Sequence, residues 1–156
     1  MVQLGGGQQH KIDIIDRIYI SRKKSPRRYL SNEKEIIEIL EKQFNFKVLY
    51  MEDYSLCKKI NIMQNAKVVM SIEGTSLING LFMNAKDSKL IALRSFDMTE
   101  HIFIISSMFK NIEFLPIVCD IKNKIGDSAF WVESDLYLDK DYLIKKLKEY
   151  EIEPIN

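Results

Sequence analysis

The stretch VVMSIEGTSLINGLFMNA, from Val68 to Ala85, decides the fold because its character changes in the middle. Its first residues form an apolar run rich in β-branched side chains, which is typical of a buried strand. The apolar residues after Ser76 follow helical spacing instead. Between the two halves stand Glu73, Gly74 and Thr75. The stretch therefore predicts a strand that turns into a helix at a glycine, which is one unit of an alternating α/β fold.

The remainder of the chain repeats this alternation. Strands are predicted over 17–21, 46–51, 67–72, 89–93, 114–119 and 129–132. Helices are predicted over 32–44, 55–64, 75–84, 99–109 and 139–150, with a loop over 122–127. This alternation implies a mostly parallel sheet that is covered on both faces, so the predicted fold class is α/β, a Rossmann-like three-layer sandwich. Pro116 restricts the fifth strand to a place near an edge of the sheet.

Side-chain periodicity assigns an inward face to three of the helices. At the start of the first, Asn32 is expected to cap the N-terminus, with Glu35 at capping-box spacing. The residues expected to face the core are Ile36, Ile37, Ile39, Leu40 and Phe44 in the first helix, Leu56, Ile60 and Met63 in the second, and Tyr142, Leu143 and Leu147 in the last.

Composition narrows the class of protein. With 156 residues, of which 46% are hydrophobic and 29% charged, the chain fits one globular domain, predicted over 15–156. A net charge of +1 gives no bulk attraction to nucleic acid. No apolar run approaches the roughly 18 residues that span a bilayer. We therefore expect neither nucleic-acid binding nor a membrane span, and we expect a cytoplasmic location.

The N-terminus and the metal-binding residue types carry little signal. Residues 1–14 lack the charged and apolar regions of a secretory signal, so we interpret them as a flexible leader or the remnant of a longer chain. Cys57 and Cys119 have no metal-type spacing and are expected to be small buried side chains in a reducing compartment. His10 and His101 are not paired with each other or with cysteine, so no metal site is predicted.

A charged residue follows each predicted strand, and together these residues are Arg22, Glu52, Glu73, Arg94, Asp120 and Glu133. In an open parallel sheet such positions lie along the carboxyl edge, where the ligands of α/β folds bind. The same pattern also arises when a chain simply emerges from a sheet into water, and this explanation stays open. The chain contains neither GxGxxG nor GxxxxGK[ST], so neither fingerprint identifies a nucleotide.

The turn after the third strand has the features of an anion-binding helix start. Gly74 has no Cβ, so the backbone can turn tightly and a ligand can approach it closely. The amides of Thr75 and Ser76 are first-turn donors at the positive end of a helix dipole, which suits a phosphate. Arg22 and Arg28, in the loop after the first strand, can add bidentate contacts to the same anion. The alternative is an ordinary helix start that Thr75 or Ser76 caps.

Residues 18–93 carry a resemblance to a known family. Its pattern has a strand ending in Ser-Arg, a second Arg before Asn-Glu at a helix start, a Phe-x-Val strand ending in Glu, and a strand leading through a glycine turn to Leu, Asn and an aromatic residue. The matching residues are Ser21, Arg22, Arg28, Asn32, Glu33, Phe46, Val48, Glu52, Ala66, Gly74, Leu77, Asn79 and Phe82. In these residues the chain resembles the C-terminal part of the family 61 glycosyltransferases.

The resemblance implies a fold, a reaction and a donor. The fold would be one half of a GT-B glycosyltransferase, the half that binds the nucleotide-sugar. The reaction would be inverting transfer of a sugar to a hydroxyl of a glycan or protein acceptor, in polysaccharide, capsule or glycan synthesis. The donor would be UDP-linked, and no metal would be needed.

The resemblance also implies roles for single residues. Arg22 and Arg28 would neutralise the diphosphate, assisted by the amides of Thr75 and Ser76. The loop-orienting or ribose-binding residues would be Asn32, Glu33 and Asn79, and the contacts to hydroxyls would come from Glu52 and Glu73. No residue of the chain is assigned a catalytic role.

Two departures from the family pattern keep other functions open. Glu73 stands where the family has a histidine, and Ser71 where it has a glycine. A glutamate can only accept hydrogen bonds at neutral pH and repels an anion, so Glu73 either faces a hydroxyl or belongs to an altered pocket. The alternatives are a non-catalytic or degenerate binding module that needs a partner domain or forms a homo-oligomer, and a Rossmann-like regulatory domain whose rim charges are ordinary surface.

Overall fold

A computed structural model describes residues 14–25, 28–84, 86–96, 112–122 and 134–155. Within these ranges the strands are β1 (Arg17–Ile20), β2 (Lys47–Leu49), β3 (Val68–Ile72), β4 (Lys89–Ser95), β5 (Glu113–Lys122) and β6 (Asp135–Tyr137). The α-helices are α1 (Glu33–Phe44), α2 (Leu56–Asn65) and α3 (Lys140–Glu149). Two 3-10 helices, Met51–Asp53 and Thr75–Phe82, follow β2 and β3.

The sheet has the strand order β2-β1-β3-β4-β5-β6, and its pairs are parallel except for β5 with β6. β1 pairs with β2 on one side and with β3 on the other, so the chain changes its direction of winding between β1 and β3. Ligands of open α/β sheets bind at such a switch point, outside the carboxyl ends of the strands. Ile20 pairs with Ser71 there, which places the residues after β1 beside the residues after β3.

The two faces of the sheet bury separate cores because successive side chains of a strand point to opposite sides. Tyr19 and Met70 share one core with α1 and α3. Ile18 and Val69 share the other with α2 and the Thr75–Phe82 helix. All five residues of β3 are buried. This arrangement confirms the predicted Rossmann-like α/β class, with a sheet between two helical layers.

Most predicted elements are confirmed, with boundaries that differ by one or two residues as far as β4. β5 is longer than predicted, because Asp120 to Lys122 pair with β6 where a loop was expected to begin. β4 also extends beyond its predicted end, to Ser95. Arg94 and Asp120 thus lie inside β4 and β5 and not after them, contrary to the prediction. Pro116 pairs with Ala92 of β4, while the pairing between β5 and β6 involves other residues, which agrees with an edge-like position.

The predictions that lie wholly or mostly outside the described residues are the leader over 1–14, the helix over 99–109, the loop over 122–127, the strand over 129–132 and the charge of Glu133. The sixth strand that the structure does describe is β6, Asp135–Tyr137. Sequence reasoning missed this strand.

The helix after β3 is a 3-10 helix that ends at Phe82, where a longer helix to residue 84 was predicted. Its buried residues Leu77, Gly80 and Met83 recur at intervals of three, which is the period of a 3-10 helix. Ile78 and Leu81, on the other side, are each 48% exposed. Apolar residues lie on both the buried and the exposed side of this helix, so its sequence could not distinguish the two helical periods.

Asn32 does not cap α1 with its side chain, so the predicted capping box is wrong. Its Nδ2 donates instead to the Leu138 carbonyl at 2.8 Å, and its Oδ1 accepts from the Leu138 amide at 3.2 Å. The start of α1 is thereby tied to the segment after β6. Local spacing cannot predict a contact between residues so far apart in the chain.

Burial follows the prediction in α1 but departs from it in three places elsewhere. Leu56 is 63% exposed and Tyr142 is 37% exposed, although both were expected to face the core. Each lies in the first turn of its helix. Cys57, in the first turn of α2, is exposed rather than buried. No helix in the described part of the chain is long and apolar enough to cross a membrane.

The two cysteines test this arrangement. Cys119 lies in β5 and is buried, and this burial raises the pKa of its thiol to about 12. Since the thiolate is the reactive form, a maleimide at pH 8 should modify Cys57 alone in the folded protein and both cysteines after denaturation, as read by mass spectrometry. The folded Cys57→Ser variant should stay unlabelled. Equal labelling rates for the two thiols would contradict the position of β5.

Candidate anion-binding site

Gly74 follows β3 in a backbone conformation that other residues rarely adopt. Its φ is 151° and its ψ is −164°, a region that is essentially restricted to glycine. Arg22 Nη1 and Arg28 Nη2 each lie 3.0 Å from the position that a Cβ atom would occupy at this residue. A residue without a side chain therefore lets two guanidinium groups reach the same stretch of backbone.

Arg22 lies in the loop just after β1, and a carboxylate holds the residues before it in place. Ser21 Oγ donates to Glu33 Oε1 at 2.8 Å and accepts from the Lys23 amide at 3.1 Å. The hydroxyl of Tyr19 donates to the same Glu33 oxygen at 2.9 Å. Burial, and then the Glu33 carboxylate, raise the pKa of Tyr19 well above its ordinary value, so this hydroxyl remains a donor. Glu33 thus holds the residues around Arg22 from the first turn of α1.

Arg28 is positioned by a short parallel bridge to β6. The amide of Leu136 donates to the Tyr29 carbonyl at 2.8 Å, and the amide of Ser31 donates to the Leu136 carbonyl at 2.7 Å. Arg28 itself has a φ of 62°, in the left-handed region, which turns the chain just before this bridge. Its Nη1 then donates to the Glu73 carbonyl at 3.2 Å. The guanidinium is therefore directed to the backbone of the glycine turn.

Glu73 and Arg94 form a buried ion pair directly before Gly74. Arg94 Nε lies 3.0 Å from Glu73 Oε2, and the exposed fractions of the two side chains are 5% and 0%. The Glu73 carboxylate is therefore enclosed by protein, and a guanidinium from the neighbouring strand β4 balances its charge.

The first residues of the 3-10 helix contribute backbone to the site. Ser76 Oγ lies 2.9 Å from Ser71 Oγ, which in turn donates to the Ile20 carbonyl at 3.0 Å. The hydroxyl of Ser76 thus turns toward the sheet, and its amide is the group it presents to the helix start. The side chain of Thr75 lies outside the described part of the chain.

The remaining predicted residues make other contacts within the protein. Asn79 Nδ2 donates to the Ser76 carbonyl at 2.8 Å, and Asn32 is bonded to Leu138 as described above. Glu52 is exposed in the 3-10 helix after β2, and β1 separates β2 from β3. The structure therefore brings together Arg22, Arg28, Glu73, Gly74 and the backbone of Thr75 and Ser76.

Sequence reasoning missed the partner of Glu73. β3 and β4 pair in register, with Ile72 opposite Leu93, so the residue after each of these lies beside the other. Aligning the apolar runs VVMSI and LIAL would have placed Glu73 next to Arg94. This signal becomes usable only when β3 and β4 are known to be neighbours, which the sequence does not state.

Two arginines face a glycine turn at the switch point of a Rossmann-like sheet, and guanidinium groups in such a position have the chemistry to bind an anion with several oxygens. In the part of the chain that the structure describes, no group of three or more His, Cys, Asp or Glu residues is placed to hold a metal ion.

Comparison with protein families is consistent with this class. The family model described as Glycosyltransferase 61 matches residues 6–91, more than half of the chain. The chain belongs to glycosyltransferase family 61, which confirms the family that the sequence resemblance named. The matched region contains Arg22, Arg28 and Gly74, whereas Arg94 lies beyond it. No curated protein matches the chain.

Replacement of Gly74 tests the conformation of the turn. Alanine has to adopt a backbone region that costs other residues of order 1–3 kcal/mol, and its Cβ would meet both guanidinium groups. We expect Gly74→Ala to lower the free energy of unfolding in urea by about 1–3 kcal/mol. Lys23→Ala, an exposed change in the neighbouring loop, should alter it by about 0.5 kcal/mol or less. An unchanged urea midpoint for Gly74→Ala would contradict the conformation of this turn.

Two acids in the first turn of α1 test the network around Arg22. Glu33→Ala removes the carboxylate that accepts from the buried Tyr19 hydroxyl, which should cost about 1–3 kcal/mol of unfolding free energy. Glu35→Ala removes an exposed acid from the same turn and should cost about 0.5 kcal/mol or less. Chemical denaturation measures both values, and equal losses would show that Glu33 acts only as a first-turn charge.

Proposed function

We propose that this chain is the nucleotide-sugar-binding domain of a family 61 glycosyltransferase that transfers a sugar to a hydroxyl acceptor. One observation carries the proposal: Arg22 Nη1 and Arg28 Nη2 stand 3.0 Å from the same point above Gly74, at the switch point between β1 and β3. A diphosphate has the oxygens and the negative charge that guanidinium groups recognise. Family membership supplies the class of reaction, sugar transfer.

The diphosphate of the donor would lie over Gly74. Because this residue has no side chain, a phosphate can approach the backbone and accept hydrogen bonds from the first-turn amides of Thr75 and Ser76. Arg22 and Arg28 bring like charges to one place, and an anion bound between them would offset their repulsion. The site is half-buried, so the anion would be partly shielded from water.

The arginines would also act on the chemical step. Transfer breaks the bond between the anomeric carbon and a diphosphate oxygen, so negative charge develops on the departing nucleotide. Guanidinium groups that are already in place stabilise this charge without reorganisation. From the resemblance we infer inverting transfer, a UDP-linked donor and no metal. We assign the acceptor site and its general base to a facing domain or subunit, as in the GT-B arrangement.

A second candidate is a binding or assembly module that lacks transferase activity. The observation that favours it is the enclosed carboxylate of Glu73, which cannot donate a hydrogen bond to a diphosphate. Incubation with a panel of UDP-sugars separates the two functions. Release of UDP by the wild type, lost in Arg22→Ala, would support the enzyme and exclude the module.

Nucleotide binding tests the proposal directly. UDP at about 100 times its Kd should stabilise the fold by about 2.7 kcal/mol in thermal unfolding. Arg22→Ala and Arg28→Ala should each weaken UDP binding by roughly 10- to 100-fold in calorimetry, because each removes a charged hydrogen-bond donor. The UDP affinity of Arg22→Lys should lie between those of the alanine variants and the wild type, since an ammonium keeps the charge but loses the bidentate geometry.

The matched control is Lys23→Ala, which removes the same charge from an exposed position in the same loop. It should keep UDP affinity within about threefold of the wild type, as screened surface charges contribute little. A loss as large as that of Arg22→Ala would indicate non-specific attraction. A wild-type protein that binds none of UDP, GDP and CMP would overturn the proposal.

A further inference from the structure

Arg94 lies beyond the matched family region, and it reaches the residue next to Gly74. We propose that Arg94 is a positioning residue for the anion site, which acts through Glu73 by neutralising its buried carboxylate next to the glycine turn. This inference rests on the proposed function, because it concerns binding at the same site.

Glu73 is held at three points. Its amide donates to the Leu93 carbonyl at 2.8 Å, which continues the pairing of β3 with β4 by one residue. Its carboxylate meets Arg94 Nε at 3.0 Å in a buried position. Its carbonyl accepts from Arg28 Nη1 at 3.2 Å. The Glu73 side chain thus joins β4 to the same residue that receives the guanidinium of Arg28.

The electrostatic consequence concerns the anion. A buried carboxylate immediately before Gly74 would repel a phosphate bound over that turn, because charges interact strongly where water is excluded. It would also compete with the phosphate for Arg22 and Arg28. The guanidinium of Arg94 cancels this charge from the side of β4, which lowers the repulsion that an anion over the turn would experience.

Charge compensation makes a prediction that a merely structural ion pair does not. Both Arg94→Gln and Glu73→Gln break the pair, so a structural role predicts that both weaken anion binding alike. Charge compensation predicts that only Arg94→Gln weakens anion binding. Arg94→Gln leaves an unbalanced negative charge and should weaken binding of UDP and of inorganic pyrophosphate by at least about tenfold. Glu73→Gln removes the negative charge and should leave binding within about threefold of the wild type or tighten it.

The double variant Arg94→Gln/Glu73→Gln removes both charges and should recover binding to within about threefold of the wild type. Lys89→Gln is the matched control, because it removes an ion-paired lysine from the same strand at the opposite end. It should leave binding unchanged. Circular dichroism and thermal unfolding establish which variants fold, and calorimetry with UDP and with pyrophosphate gives the affinities.

Each outcome decides the inference. Wild-type affinity in Arg94→Gln, equal losses in the two single variants, or a double variant that stays tenfold weaker would overturn it. If Arg94→Gln does not fold, Glu73→Gln and the double variant decide: affinities near that of the wild type support compensation, and a tenfold loss in either overturns it. Wild-type protein that binds pyrophosphate but no nucleotide would overturn the proposed function while leaving Arg94 testable, and binding of neither would overturn both.

Discussion

The parallel register between β1 and β3 is the constraint on which the candidate site depends. Because Ile20 pairs with Ser71, the loop after β1, which carries Arg22 and Arg28, and the turn at Gly74 emerge from the sheet side by side. The Ser71 hydroxyl adds a bond from its side chain to the Ile20 carbonyl at 3.0 Å across the same seam. A slip of one residue would exchange Ile18 and Tyr19 between the two cores. The apolar pattern that fixes the sheet therefore also fixes the approach of Arg22 to Gly74.

Two carboxylates behind the site hold its positive groups in place. Glu33 binds the residues around Arg22, and Glu73 offers its carbonyl to Arg28 while its side chain pairs with Arg94. Each acid is itself satisfied by hydroxyls or a guanidinium, as buried charges require. This organisation explains how a chain with a net charge of only +1 concentrates positive charge at a single turn.

What the sequence predicts here follows from local pattern, and what it misses follows from contacts between distant residues. Periodicity identifies α1 and the apolar strands, and the rule that ligands bind at carboxyl ends of parallel strands brings Arg22 and Gly74 together. The bond from Asn32 to Leu138 and the position of β6 depend on strand order, which no local pattern encodes. The 3-10 period after Gly74 depends on which apolar residues the core accepts.

Glu73 illustrates how a site can keep its geometry when one residue changes its chemistry. The family resemblance expects a histidine at this position, a side chain that can donate to an anion. A carboxylate there is compatible with an anion only where a counter-charge is enclosed with it, and the in-register neighbour Arg94 supplies that charge from β4. Under the proposed function, donation to the ligand then falls to Arg22, Arg28 and the backbone amides. Residue 73 would support the turn from within the protein, and the loop after β1 would carry the recognition of the ligand.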